Sequence, residues 1–400
     1  QAEDGIRDCL LSRGLGDVYK RQGWGHSALV DSDGELWMSG RGDVGQLGTG
    51  GRQDMLTPTR VPKLRLGGAR VKMAACGESH TLVLTEAGRV WAFGRGQYGL
   101  LGTGDEDNRT TPTEVAGLQG VTITFVAAGD FYSVAVSAGG GTFTWGKCGG
   151  GALGHGNEDN QLEPREVEAG RFGGDRVVQA AAGGLHTAAV TAEGRLYTWG
   201  YGIYGQLGQG TFANMLVPTL VPTGGLEGSP VLMVACGSDY TMAVTRAGDL
   251  YACGSGMYGQ LGLNNKEIRT VFERVRLPVL SDARIVTASA GEYHSAAVTE
   301  DGALFTWGRG QAYGGSPTGL GHGDFTQRLR PTLVAPDSMD GARIGRCREL
   351  AREHALAFAM VTHPRLGRAQ AQAQGQAGAK AGWARRLQCL LVKAVKAAGG

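Results

Sequence analysis

One element recurs along this chain at a nearly fixed interval, and it leaves few folds open. It reads WMSGRGDVGQLGTG, WAFGRGQYGLLGTG, FTWGKCGGGALGHG, YTWGYGIYGQLGQG, YACGSGMYGQLGLN and FTWGRGQAYGGSPTGLGHG. Its first glycine falls at Gly40, Gly94, Gly146, Gly200, Gly254 and Gly308, in steps of 54, 52, 54, 54 and 54 residues. Self-similarity at such a period means that each copy is one supersecondary unit, stacked on its neighbours.

Upstream of each copy lies a second element: GHSALVDSDGEL, SHTLVLTEAGRV, YSVAVSAGGGTF, HTAAVTAEGRLY, YTMAVTRAGDLY and HSAAVTEDGALF. Apolar and polar residues alternate, meet a pair such as Asp33-Gly34, Glu193-Gly194 or Asp301-Gly302, and alternate again, which is the pattern of a β-hairpin. The following glycine string is too dense for a strand, so it predicts a tight loop around one buried leucine: Leu47, Leu101, Leu153, Leu207, Leu261 or Leu320. Next comes a proline (Pro58, Pro112, Pro164, Pro218, Pro278, Pro331), suited to an edge strand, and then a run such as RVKMAACG that leads back to the hairpin. The unit therefore holds about four strands, the content of a propeller blade.

Six units carry both elements, and a seventh hairpin start, HALAFAM, begins at His354. The expected fold is all-β: a seven-bladed β-propeller of four-stranded blades whose last blade is incomplete. Glycine supplies 70 of the 400 residues and proline 12, as a turn-rich chain requires. No apolar run is long enough to span a membrane as a helix.

The two ends differ from the repeats. Residues 1–22 match nothing else in the chain and read as foreign or disordered sequence; the propeller is expected over 23–361. Residues 362–400 read as a linker followed by a basic amphipathic tail with helical spacing of Trp383, Leu387, Leu390, Leu391 and Val395. No acidic residue follows Glu353, so the tail carries +7 of a formal net charge of +2 and leaves −5 for the rest.

The Gly-x-x-His-Ser/Thr start, the aromatic–glycine hairpin and the glycine string together resemble the regulator of chromosome condensation repeat family, over roughly residues 23–361. That resemblance implies a seven-bladed propeller whose last blade is completed by strands from both chain ends. It also implies two functions. The main expectation is a non-enzymatic protein-interaction propeller, a scaffold or regulatory binding module. The alternative is guanine nucleotide exchange on a Ran-type small GTPase with chromatin association. Against the alternative stands the third unit, which lacks an insertion that could serve as a wedge; the sizeable one lies in the sixth, Gln311 to Gly319. Ultraviolet sensing is disfavoured, because a tryptophan cluster is suggested only around Trp24.

Candidate chemistry is sparse. His26, His80, His186, His294 and His354 share one repeat position, occupied by Tyr132 and Tyr240 in the other units. A group present in every blade has a blade-level job, so these residues read as buried hydrogen-bonding side chains. His155 and His322 read as turn surface. Gly-x-Gly-x-x-Gly strings such as the one at Gly94, Gly96 and Gly99 open no helix and so mark turns, not a phosphate site. Seven cysteines without a Cys-x-x-Cys pair suggest buried thiols and a cytoplasmic or nuclear protein. No catalytic residue, metal ligand or cofactor is expected.

Binding residues are sought where equivalent loops emerge on one mouth of the ring. Between the repeat glycine and histidine stand Trp24, Glu78, Asp130, Phe131, Asp239, Glu292 and Tyr293. After the aromatic–glycine element stand Arg95, Tyr98, Tyr204, Tyr258 and Arg309, with Lys147 and Tyr201 beside them. Tyr and Arg are types that anchor interfaces. The expected partner is a protein, a small GTPase under the alternative reading, bound by a monomer.

Overall fold

Alternating residues and glycine turns fold each repeat into a four-stranded antiparallel sheet. The computed structural model describes residues 19–22 and 25–334, apart from 227, 279–282, 311–319 and 323. The second blade shows the plan: β5 (Val71–Cys76), β6 (His80–Thr85), β7 (Val90–Gly94) and β8 (Arg109–Glu114) pair in sequence order. The first blade comprises β1 (Tyr19–Gln22), β2 (His26–Val30), β3 (Leu36–Gly40) and β4 (Met55–Val61). Its β1 lies within the segment set apart from the repeats and pairs antiparallel with β2, from Tyr19 opposite Val30 to Gln22 opposite Ser27. Four further blades span 123–166, 177–220, 231–275 and 285–333. The described residues thus hold six four-stranded blades, and the seventh start at His354 and the basic tail lie outside them.

The cores explain why one unit cannot stand alone. Each buried apolar cluster lies between two successive blades: Leu36, Leu47 and Val61 of the first pack with Val83 and Phe93 of the second. Leu82 and Leu101 of the second pack with Ala135 and Trp145 of the third. All six string leucines are buried, as expected. The inner strands of neighbouring blades lie against one another and line the axis of the ring.

The proline slot needs one correction. Pro58, Pro112, Pro164, Pro218 and Pro331 sit in the outermost strands, where a missing N–H costs no ladder bond. In the fifth blade, however, Pro278 lies beyond the strand Arg269–Val275, and the buried Phe272 fills the corresponding place.

Candidate binding mouth

Alternate strands run in opposite directions, so the turn after each inner strand and the turn after each third strand open on the same end of the ring. Backbone bonds join the two turns: the N–H groups of Arg95, Lys147 and Arg309 each donate to the carbonyls of Ser79, Phe131 and Tyr293, respectively, at 2.9 Å. The repeat glycines permit this approach. Gly94 takes a φ of 108°, and a Cβ there would sit 2.5 Å from the Ser79 carbonyl oxygen.

At the axis the blades touch backbone to backbone. A Cβ on Gly77 would meet the Gly129 carbonyl oxygen at 2.4 Å, and one on Gly129 would meet that of Gly183 at 2.6 Å. The first or second residue after each of these repeat glycines forms the inner rim of the mouth. Glu78, Asp130, Asp239 and Glu292, from the second, third, fifth and sixth blades, converge there, each half-buried. The Asp130 carboxyl is pushed up to about 7 by burial and by the negative fields of Glu78, Glu292 and Asp239. Burial also raises Asp239 and Glu292, the latter opposed by the Tyr293 hydrogen bond and the Arg309 charge.

Outside this rim lies a collar in which cations rest on aromatic faces. The Lys147 amine stands 5.1 Å from the Tyr98 ring centroid and 5.2 Å from that of Phe131. The Arg309 guanidinium stands 4.8 Å from Tyr258 and 5.7 Å from Tyr293, whose rings are themselves 4.8 Å apart. Each cation thus bridges its own blade and the preceding one. Tyr204 packs edge-on against Tyr201 at 6.4 Å, and Arg95 is half-buried at the corresponding place in the second blade. Trp24 lies outside the described residues. Sequence reasoning passed over two exposed apolar tips, Ile203 and Met257. Their position directly before Tyr204 and Tyr258, in a turn whose tip faces solvent, was the available signal.

The recurring histidines are structural. His26 Nε2 meets Thr81 Oγ1 at 2.9 Å, His80 Nε2 meets Ser133 Oγ at 3.0 Å, and His186 Nε2 meets Thr241 Oγ1 at 2.9 Å. Each of these hydroxyls donates to a turn carbonyl of the preceding blade: Thr81 to Gln46, Ser133 to Leu100 and Thr241 to Gln206. With its hydrogen committed, the hydroxyl accepts from the imidazole, which fixes Nε2 as the protonated nitrogen. Where tyrosine replaces histidine, its hydroxyl donates to the next blade's carbonyl: Tyr132 to His186, and Tyr240 to His294 at 2.5 Å. Burial pushes His26 and His294 down to about 4, and His80 and His186 to about 3. His155 and His322 are not turn surface: half-buried, they bond Thr144 and Thr306 at 3.0 and 2.8 Å.

The buried thiols are not reactive. Burial raises Cys236 to about 12 and Cys253 and Cys148 above the ordinary range, so the nucleophilic thiolate is disfavoured. Among the described residues, no group of three His, Cys, Asp or Glu is placed to hold a metal ion, and no helix is long and apolar enough to cross a membrane.

The regulator of chromosome condensation (RCC1) repeat matches residues 33–84, 87–136, 139–190, 193–244 and 247–298. The chain belongs to the RCC1 repeat family. It is 36% identical over 318 residues to the ultraviolet-B receptor UVR8 of Arabidopsis thaliana, covering 79% of this chain and 69% of that protein. It is 33% identical over 348 residues to the human E3 ubiquitin-protein ligase HERC2, covering 86% of this chain but 7% of the ligase. Among solved structures, Prp20p of Saccharomyces cerevisiae, characterised for its binding to Gsp1p and histones, superposes with a TM-score of 0.66 at 23% identity over 80% of this chain and 77% of that one. The chain is accordingly an RCC1-repeat protein-interaction propeller. The expectation of a purely non-enzymatic role is not sustained, since the chain shares its fold with Prp20p, a protein whose binding to Gsp1p was characterised with its structure.

Proposed function

We propose that this RCC1-repeat chain is a guanine nucleotide exchange factor for a Ran-type small GTPase, which it engages through the mouth. The observation that carries the reading is the shared propeller of Prp20p, whose binding to Gsp1p and histones was studied with its structure. The second support is the chemistry of the mouth. A GTPase holds its nucleotide with a lysine and a Mg²⁺ ion that neutralise the phosphates. An acidic rim formed by Glu78, Asp130, Asp239 and Glu292 offers cationic groups on a docking surface an alternative partner, while the Lys147 and Arg309 collar provides aromatic anchoring. Association with chromatin, and residence in the nucleus or cytoplasm, belong to the same reading.

The test is release of a fluorescent GDP from a Ran-type GTPase. The expected result is at least tenfold acceleration by a catalytic amount of the chain. Release at the spontaneous rate under saturating chain would overturn the reading.

A further inference from the structure

The rim and collar differ in how their charges are spent. Lys147 lies over Tyr98 and Phe131, and Arg309 over Tyr258 and Tyr293, while Arg41 is paired with Asp43 at 2.5 Å. Arg309 is the cation that acts on Glu292, and no cation acts on Asp130, whose surroundings are the other three carboxylates. The half-buried Asp130 carboxyl receives no hydrogen bond from any described residue, and its Oδ2 points toward the neighbouring blade, 3.2 Å from where a Gly184 Cβ would stand. Gly184 brings no side chain to the place between Asp130 and Ser238, to whose carbonyl its N–H donates at 3.1 Å. An unpaired carboxylate, half-buried beside three others, is costly to keep without a partner. Ile203 and Met257 stand exposed farther out on the same mouth.

We propose that the inner rim is a socket for one cationic side chain, an arginine or lysine of a protein partner, seated among Glu78, Asp130, Asp239 and Glu292 while flanking apolar residues rest on the collar. The proposal deepens the reading of the mouth as a protein-binding surface and does not depend on what the partner's activity is. Charge complementarity selects the occupant: four carboxylates converge, and the mouth's own cations are held on aromatic faces or paired farther out. Arg95 is the remaining cation at the corresponding position in the second blade, and it does not figure among the charges acting on Asp130. Seating a cation requires Asp130 to be ionised, so binding strengthens as pH rises through neutrality, in the direction set by burial and the three neighbouring carboxylates.

The probe is a blocked pentapeptide with a central arginine between two leucines, compared with the same peptide carrying neutral citrulline. Titration is followed through the side-chain carboxyl ¹³C resonances of the intact chain. The expected result is saturable binding of the arginine peptide at pH 8, at least tenfold weaker binding of the citrulline peptide, and at least threefold weakening at pH 6. Asp130→Asn should weaken arginine binding tenfold while keeping a cooperative melt; Glu292→Gln serves if that variant does not fold. Equal binding of the two peptides, no saturable binding, or an unchanged affinity in the folded variants would overturn the proposal. So would displacement by MgCl₂ beyond that by NaCl of equal ionic strength, which would make the rim a general cation site. Peptide binding without accelerated GDP release would leave the socket standing and remove the exchange reading; the reverse outcome would do the opposite.

Discussion

Gly94 shows how one atom can decide a blade. Its φ of 108° lies where side chains are strained, and a Cβ would stand 2.5 Å from the Ser79 carbonyl oxygen, which accepts the Arg95 N–H. Gly120 has a φ of 81° and nothing within 4 Å of its Cβ position, so it isolates the cost of the backbone angle. Gly120→Ala should cost about 1 kcal/mol, and Gly94→Ala more than about 3 kcal/mol, because the turn must also open. Urea unfolding of both variants checks this; equal costs would mean that the contact with Ser79 does not matter. Asp130 works in the other direction. Its folded-state pKa, near 7, lies above the ordinary carboxylate value of about 4, so the ionised form costs stability that increases as pH rises from about 4 to 7. Asp130→Asn should therefore stabilise the chain at pH 8 by on the order of 2 kcal/mol and change little at pH 4. Melting at the two pH values reads the difference; a destabilised variant at pH 8 would show that the carboxylate is held by a partner.

At the level of the blade, the same seam is packed in two ways. In the third, fourth and sixth blades a buried tryptophan (Trp145, Trp199, Trp307) donates its Nε1 hydrogen to a carbonyl of the preceding blade: Leu100, Ala152 or Gln260, at 3.0, 2.9 and 2.8 Å. A proline of its own outer strand lies beside the same turn glycine. In the fifth blade Cys253 takes the tryptophan's place, its Sγ 3.5 Å from the Gln206 carbonyl oxygen, and Phe272 takes the proline's. The Cβ position of Gly208 faces the Phe272 ring, where that of Gly154 faces Trp199 and Pro218. The larger ring of one residue thus fills the volume yielded by the other. Cys253→Trp alone should overpack the seam and cost about 1–3 kcal/mol, Phe272→Pro alone should leave a cavity costing about 3 kcal/mol, and the double variant should recover at least about 1 kcal/mol of the sum. A double-mutant cycle that adds without coupling would refute the exchange of volumes. This pair also marks where the sequence could be read and where it could not. The period, hairpins, turn glycines, string leucines and blade-level role of His80 were legible, because each follows from local backbone demands. The Pro278 assignment failed because Phe272 owes its place to a neighbour in space. The convergence of the rim carboxylates depends on ring closure, which no local pattern carries; Ile203 and Met257 had only their place in the turn tip, directly before Tyr204 and Tyr258, to mark them as exposed.

Across the whole ring, the histidines tie stability to pH. His26, His80 and His186 each link their blade to a hydroxyl of the next, and His294 occupies the same position in the sixth. The Nδ1 atoms of the first three are buried without a hydrogen-bond partner among the described residues, so a second proton would have no acceptor. Their folded-state values, near 3 to 4, lie below the ordinary imidazole value of about 6.5. The stability they contribute is therefore fully present above pH 6.5 and is lost as pH falls toward their folded values, because the unfolded chain binds the protons first. Asp130 opposes them by about one proton over the same interval, since its carboxyl protonates in the folded state. Between pH 6 and 4.5 the balance leaves about two to three protons, or roughly 3–4 kcal/mol lost per pH unit. Because His26, His80 and His186 each lie between blades, this loss should be felt as a single cooperative acid transition and not as fraying of one blade. His186→Gln keeps an N–H donor for Thr241 Oγ1 but does not titrate. It should lower stability modestly at pH 7 and flatten the dependence of unfolding free energy on pH by about one proton. Urea unfolding at half-unit pH steps measures that slope; a variant whose slope matches the parent would show that His186 takes up its proton without unfolding the ring.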